Sequence, residues 1–175
     1  AQGRFDADAR IYELTLTQAP GAAAPAGSPP LHIPIVLGLV GPNGADMPLD
    51  LDGRGLLADP VVELTERSQT FRFRGIGAQP VLSPNRGFAA PIKVVTGQSP
   101  EELVFLMGHD SDPFNRWEAA QELGRGLILA SMAALAGGRA LPATSAFSGA
   151  LAQSLTDPAL EPAFLAQLLT LPGEA

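Results

Sequence analysis

Few residues in this chain have catalytic or ligating potential. It carries two histidines, His32 and His109, and no cysteine. A zinc site needs three or four converging nitrogen, oxygen or sulfur donors, and no His-Glu-x-x-His pair on a helix is present to supply them. His32 alternates onto the polar or edge face of a strand, and His109 lies just past a helix end, where an imidazole bonds free carbonyls and favours the helix dipole. His109, Asp110 and Ser111 supply the three residue types of a serine hydrolase triad. A triad, however, converges from separate segments, whereas consecutive side chains point apart. No Gly-x-Ser-x-Gly elbow occurs either.

The carboxylate pair Glu101-Glu102 has acid-base potential, but Ser99-Pro100-Glu101-Glu102 reads more simply as a capping box with proline at the first helical position. Gly41-x-x-Gly44, Gly53-Arg54-Gly55, Gly75-x-Gly77 and Gly124-Arg125-Gly126 lack the phosphate-binding patterns and read as turns or close helix packing. Trp117, the single tryptophan, offers a binding platform or a core anchor, and its place on an amphipathic helix favours the core. The expected set of catalytic, cofactor-binding and metal-binding residues is therefore empty.

The elements around these residues fall into two halves. From Ile11 to Val95 the pattern has mostly period two, the repeat of strands with one face buried. Tyr12, Leu14 and Leu16 alternate with polar neighbours, and Ile33, Ile35, Leu37 and Leu39 occupy every second position of the next apolar run. Gly41-Pro42-Asn43-Gly44 predicts a hairpin turn. Further strands are predicted at Met47 to Leu51, Val61 to Thr65, Thr70 to Arg74 with Phe71 and Phe73 inward, Pro80 to Leu82, and Ala89 to Val95 with Ile92 and Val94 inward. About seven short strands point to an immunoglobulin-like sandwich, although spacing alone does not separate a sandwich from a small barrel. The connector Pro20 to Pro30, low in complexity, reads as a long loop within that sandwich.

After Gly97 the period becomes helical. A short helix is predicted from the Ser99 cap to about Met107, and a longer one from Asp112-Pro113 to Gly137-Gly138 with Phe114, Trp117, Leu123, Leu127, Ile128 and Leu135 on one broad face. A third follows from Ala143 to Leu155, aligning Phe147, Leu151 and Leu155. A fourth starts near Pro162, aligns Phe164, Leu165, Leu168 and Leu169, and stops before Pro172. The fold class is thus an immunoglobulin-like β-sandwich over 1–97 followed by an α-helical segment over 98–175.

Composition bounds the partners. With 46% hydrophobic and 17% charged residues the chain supports a packed core, and its net charge of -7 repels phosphate backbones and anionic membrane surfaces. The apolar run Gly126 to Gly138 is shorter than the roughly 20 residues needed to span a bilayer. Neither nucleic acid nor membrane is expected as a partner. Ala1 to Arg10 lacks the organisation of an export signal. The absence of cysteine fits either redox compartment, and a cytoplasmic location is the expectation. The first residue is not methionine, which a trimmed initiator or a start inside a longer reading frame explains equally well.

Three stretches carry a resemblance: Pro30-Leu31-His32-Ile33-Pro34-Ile35; Phe105-Leu106-Met107 with Phe114-Asn115-Arg116-Trp117-Glu118-Ala119-Ala120-Gln121; and Ala163 to Pro172. Together, from about Phe5 to Glu174, they resemble bacterial aminopeptidase N, a zinc metallopeptidase of gluzincin type. The resemblance implies the small immunoglobulin-like third domain and the first helices of the helical C-terminal domain that cups over the active site. The zinc ligands and the segment that holds the substrate's free amino end belong to a catalytic domain with no counterpart here, so no catalytic residue of the family maps onto this chain. It implies no cofactor in this fragment, zinc in the parent, and as partners the parent's catalytic domain and its remaining C-terminal helices. Peptide substrate is expected only in the full-length enzyme. The alternative is an independent immunoglobulin-like binding module with a helical accessory. The two differ at the surface: a fragment leaves uncovered an apolar helical face formed by Phe147, Leu151, Leu155, Phe164, Leu165, Leu168 and Leu169, and self-associates through it, whereas a module is self-contained. An unrecognised hydrolase needs converging polar groups in a pocket, which the sequence does not offer.

Overall fold

A computed structural model describes residues 1–19, 21, 25, 27–158 and 160–173. The chain divides into two compact units, one over Ala1–Gly97 and one beginning at Gln98.

The first unit is built of antiparallel strands in two sheets. β1 (Gln2–Asp6), β2 (Ile11–Thr17), β7 (Ser68–Arg74), β4 (Asp50–Leu51) and β5 (Gly55–Leu56) form one sheet in the order β1-β2-β7-β4-β5. β6 (Val61–Leu64), β3 (Ile33–Val40) and β8 (Val81–Pro84) form the other in the order β6-β3-β8. The alternation seen in the sequence is the alternation of burial: Tyr12, Leu14 and Leu16 on β2, Ile35, Leu37 and Leu39 on β3, and Phe71 and Phe73 on β7 interleave in one core with Val62 and Leu64. Burying such side chains stabilises by about 1.5–3 kcal/mol each, which is why period two selects this register.

Two strand expectations are corrected and one further strand is found. The strand predicted over Ala89 to Val95 is irregular backbone after a 3₁₀ turn at Arg86–Phe88. Buried Asn85, in a left-handed conformation, gives both its amide groups to Ala90: Nδ2 donates to the Ala90 carbonyl at 2.9 Å and Oδ1 accepts from its N–H at 2.9 Å. A side chain thus satisfies the groups a ladder would have used, and Pro91 has no N–H to continue one. Met47 to Leu51 shrinks to β4. The hairpin turn predicted at Gly41 to Gly44 forms, with Gly44 N–H donating to the Gly41 carbonyl at 2.8 Å and an antiparallel bridge from Val40 to Asp46 across it. Conversely, β1 has no hydrophobic alternation and was not predicted. It forms because β2 offers it a full antiparallel edge, from Gln2 opposite Thr15 to Asp6 opposite Ile11. Part of the 20–30 connector lies outside the described residues, as does the end of the chain at Glu174. The connector's base is closed by Gln18, whose Nε2 donates to the Leu31 carbonyl at 2.7 Å while its Oε1 accepts from Leu31 N–H at 2.9 Å.

The second unit has four helices among the described residues: α1 (Pro100–His109), α2 (Pro113–Ala136), α3 (Ser145–Leu155) and α4 (Pro162–Leu168). The Ser99 capping box forms, with Glu102 N–H donating to Ser99 Oγ at 3.2 Å and Ser99 N–H to Glu102 Oε2 at 2.9 Å. Such a cap contributes about 1 kcal/mol. Glu101 beside it titrates below its ordinary value because of hydrogen bonds with its own backbone and with Ser99. Asp112 caps α2 by accepting from Asn115 N–H at 2.8 Å.

The buried face of α2 differs from the predicted one. Of the bulky residues assigned to it only Leu123 is buried; Ile128 and Leu135 are 42% and 69% exposed. The buried stripe is Arg116, Ala119, Ala120, Leu123 and Gly124, at spacings of three and four. Small residues there let α1 and its neighbours approach closely, and an alanine at Gly124 would meet Pro172 at 3.3 Å and Phe147 at 3.7 Å. Gly126 has open space around it, so it is not a packing glycine. The uncovered apolar surface is also placed differently. Leu168 is buried, and Phe147, Leu151, Phe164 and Leu165 are half-buried, whereas Ile128, Leu129, Met132 and Leu135 on the second half of α2 are exposed together with Leu155 and Leu169.

Candidate functional site

The residues singled out for chemistry do not assemble. His32 lies on the surface just before β3, its Nε2 3.8 Å from Glu63 Oε1. His109 ends α1, stacked on Phe105 at 4.8 Å between ring centroids, with its Nδ1 3.2 Å from the Phe105 carbonyl. Asp110 Oδ1 accepts from Asp112 N–H at 3.0 Å, tying the α1–α2 turn. Glu102 is held in the capping box. Among the described residues no group of three or more histidines, cysteines, aspartates and glutamates has a metal-holding arrangement. Among the described residues no helix is long and apolar enough to cross a membrane.

What the polar residues do form are two junctions, each centred on an arginine. In the second unit the stretch Phe114 to Gln121 is one of them. Arg116, 8% exposed, donates from Nε to the Met107 carbonyl at 2.9 Å and holds Asp157, on the α3–α4 connection, at 3.6 Å from Nη2. Its guanidinium therefore ties the end of α1 and the end of α3 to the start of α2. Gln121 extends the brace, its Nε2 donating to the Thr170 carbonyl at 2.9 Å beyond α4. Trp117, read as a core anchor, is half-buried and tilts against Phe114 at 5.9 Å between ring centroids. The residue with the anchoring role is its neighbour Arg116. The available signal was the stripe of Ala119, Ala120 and Gly124 in helical phase with Arg116, which marks the side on which other helices come close.

In the first unit the junction is Arg86. Its Nη1 and Nη2 donate to the two carboxylate oxygens of Asp46 at 2.8 and 2.7 Å, and its Nε donates to Ser83 Oγ at 2.8 Å. This bidentate pair crosses β3 over Gly38, the one place on that strand where the guanidinium finds no side chain. The Arg116 junction holds a backbone carbonyl, and the Arg86 junction joins the side chains of Asp46 and Ser83.

Comparison with known proteins agrees with this division. Residues 1–97 match the family model described as "Domain of unknown function (DUF3458) Ig-like fold" and residues 100–175 the one described as "Domain of unknown function (DUF3458_C) ARM repeats". Aminopeptidase N of Caulobacter vibrioides is 43% identical over 126 residues, which cover 72% of this chain and 14% of that protein. Aminopeptidase N of Escherichia coli is 33% identical over 170 residues, covering 97% of this chain and 19% of that protein. The crystal structure of Legionella pneumophila aminopeptidase A in complex with aspartic acid superposes with a TM-score of 0.78 at 27% identity, covering 98% of this chain and 18% of that one. The chain thus spans less than a fifth of the relatives it matches, in an immunoglobulin-like domain followed by a helical one. It belongs to the DUF3458 family, over the Ig-like and ARM-repeat stretch that it shares with bacterial aminopeptidases N.

Proposed function

We propose that this chain is a non-catalytic, structural portion of a zinc-dependent aminopeptidase that removes N-terminal residues from peptides. In this reading the sandwich spaces, and the helices begin, the domain that encloses the active site. One observation carries the proposal: the match to the Escherichia coli enzyme runs through 97% of this chain yet takes up 19% of that protein. The described residues do not fit a zinc ion, since His32 and His109 fall in different units and each has a local neighbour. When bound elsewhere in the parent, zinc would supply the activated water. The contribution of this chain is shape: Arg116 and Arg86 fix the two units from within.

The apolar surface on α2 supports the same reading. ARM-type repeats cover their apolar faces by stacking on the next repeat, and Leu129, Met132 and Leu135 are a face of that kind. The remaining helices of the parent are its partner in this proposal, and the isolated chain self-associates through it. The reading is tested with the purified chain, an amino-acid anilide and added zinc. The expected result is no turnover and no stoichiometric metal after dialysis. One tightly held zinc per chain, or a turnover that a chelator abolishes, overturns the non-catalytic assignment.

A further inference from the structure

In the sandwich unit a cleft of about 490 Å³ is lined by Leu51, Asp52, Arg54, Glu63, Thr70 and Arg72 with their neighbours. Its walls are two strand edges. β2 runs along one edge of β7 for its whole length, but β4 meets the other edge only at Phe73 and Arg74, followed by Asp52 N–H donating to the Arg72 carbonyl at 2.8 Å. Backbone groups of successive residues point to opposite edges of a strand. The N–H and carbonyl of Thr70, two residues from Arg72, therefore face the same side, where no strand of the described residues follows. On β6, Leu37 N–H donates to the Pro60 carbonyl at 2.9 Å, so the alternate residues Val62 and Leu64 turn their backbone toward β3 and Glu63 turns its own away from it. A donor and an acceptor thus stand on each wall.

Leu51 and Phe71, both buried members of the core, form the floor of the cleft, and its other lining side chains are polar or charged. The charges are mostly paired: Asp52 with Arg74, Arg72 with Glu13 at 2.8 Å, and Glu63 near His32 at 3.8 Å. Arg54, at the turn between β4 and β5, makes no ion pair with a described residue. An exposed strand edge in a polar cleft beside an uncompensated cation has the features of a site for strand addition, in which main-chain bonds give affinity and side chains give selectivity.

We propose that this cleft binds an extended peptide, which adds as a strand to the open edge of β7 and sets an acidic group against Arg54. The proposal is independent of the peptidase assignment. The test uses the whole chain, labelled with nitrogen-15, titrated with a blocked hexapeptide Thr-Val-Thr-Val-Thr-Glu. Amide shifts are expected at Thr70, Arg72 and Glu63. Exchanging the peptide's glutamate for glutamine, or Arg54→Ala in the protein, should weaken binding about two- to fivefold, the range of an exposed ion pair. Methylating every peptide nitrogen should abolish it. Equal binding of the methylated peptide, shifts confined to another edge, or no shift at any soluble concentration would overturn the proposal. So would shifts at these residues on concentrating the chain alone, because a second copy would then occupy the edge.

Discussion

Gly38→Ala should destabilise the sandwich unit by about 3 kcal/mol, well beyond the effect of an added methyl on an ordinary strand. The backbone at Gly38 does not require glycine, since its φ is not positive. The space does: a Cβ at this position would overlap the guanidinium of Arg86. The guanidinium then has to shift, and because it is held by Asp46 and Ser83 it cannot do so without weakening those bonds together. Hydrogen bonds to charged groups contribute about 1.5–3 kcal/mol each, and the partial exposure of Asp46 reduces the total toward the value given. Denaturant melting read from sandwich amides measures the loss. In an Arg86→Ala background the methyl enters vacated space, and the further cost of Gly38→Ala should fall below about 1 kcal/mol, a strong departure from additivity. Equal costs in both backgrounds would mean that the clash lies elsewhere.

Arg116→Ala should have a comparable effect on the helical unit, about 3 kcal/mol, the lower end of the cost of breaking a buried charged contact. It removes the donor to the carbonyl of Met107, a fully buried residue, and the partner of Asp157. The low end applies because Asp157 keeps partial access to water. Arg116→Lys should recover less than half of the loss, since an ammonium does not reproduce the fixed fork that reaches both acceptors. Hydrogen exchange checks the location: amides of α1 and of the α3–α4 connection should lose protection, and those of the sandwich should not. Loss spread evenly over both units would contradict the assignment of Arg116 as a local brace.

The sandwich core was legible in the sequence wherever both members of a strand pair bury alternate side chains, as on β2 and β7, because burial and period two are the same physical constraint. It was not legible at β1, which packs little apolar surface and depends on the edge of β2 for its ladder. Nor was it legible after Asn85, where a side chain replaces a strand partner. Helix starts were readable from Ser99 and Asp112, whose caps are local chemistry. The face of α2 was not, because hydropathy ranks Leu127, Ile128 and Leu135 above Ala119, Ala120 and Arg116, while the observed packing selects small volume and a buried guanidinium. The resemblance to aminopeptidase N was legible in Phe114 to Gln121, and the structure supplies a physical reason: most of that stretch's polar and small residues lie in the junction.

The role we propose for this chain is that of a structural portion of an aminopeptidase. It is tested most directly by exchanging the 170 matched residues of the Escherichia coli enzyme for those of this chain and measuring anilide hydrolysis. The expected result is a folded enzyme that hydrolyses the anilide, with the activity lost when Arg116 is also replaced by alanine. A chimera that folds as a single species but has no activity would contradict the claim.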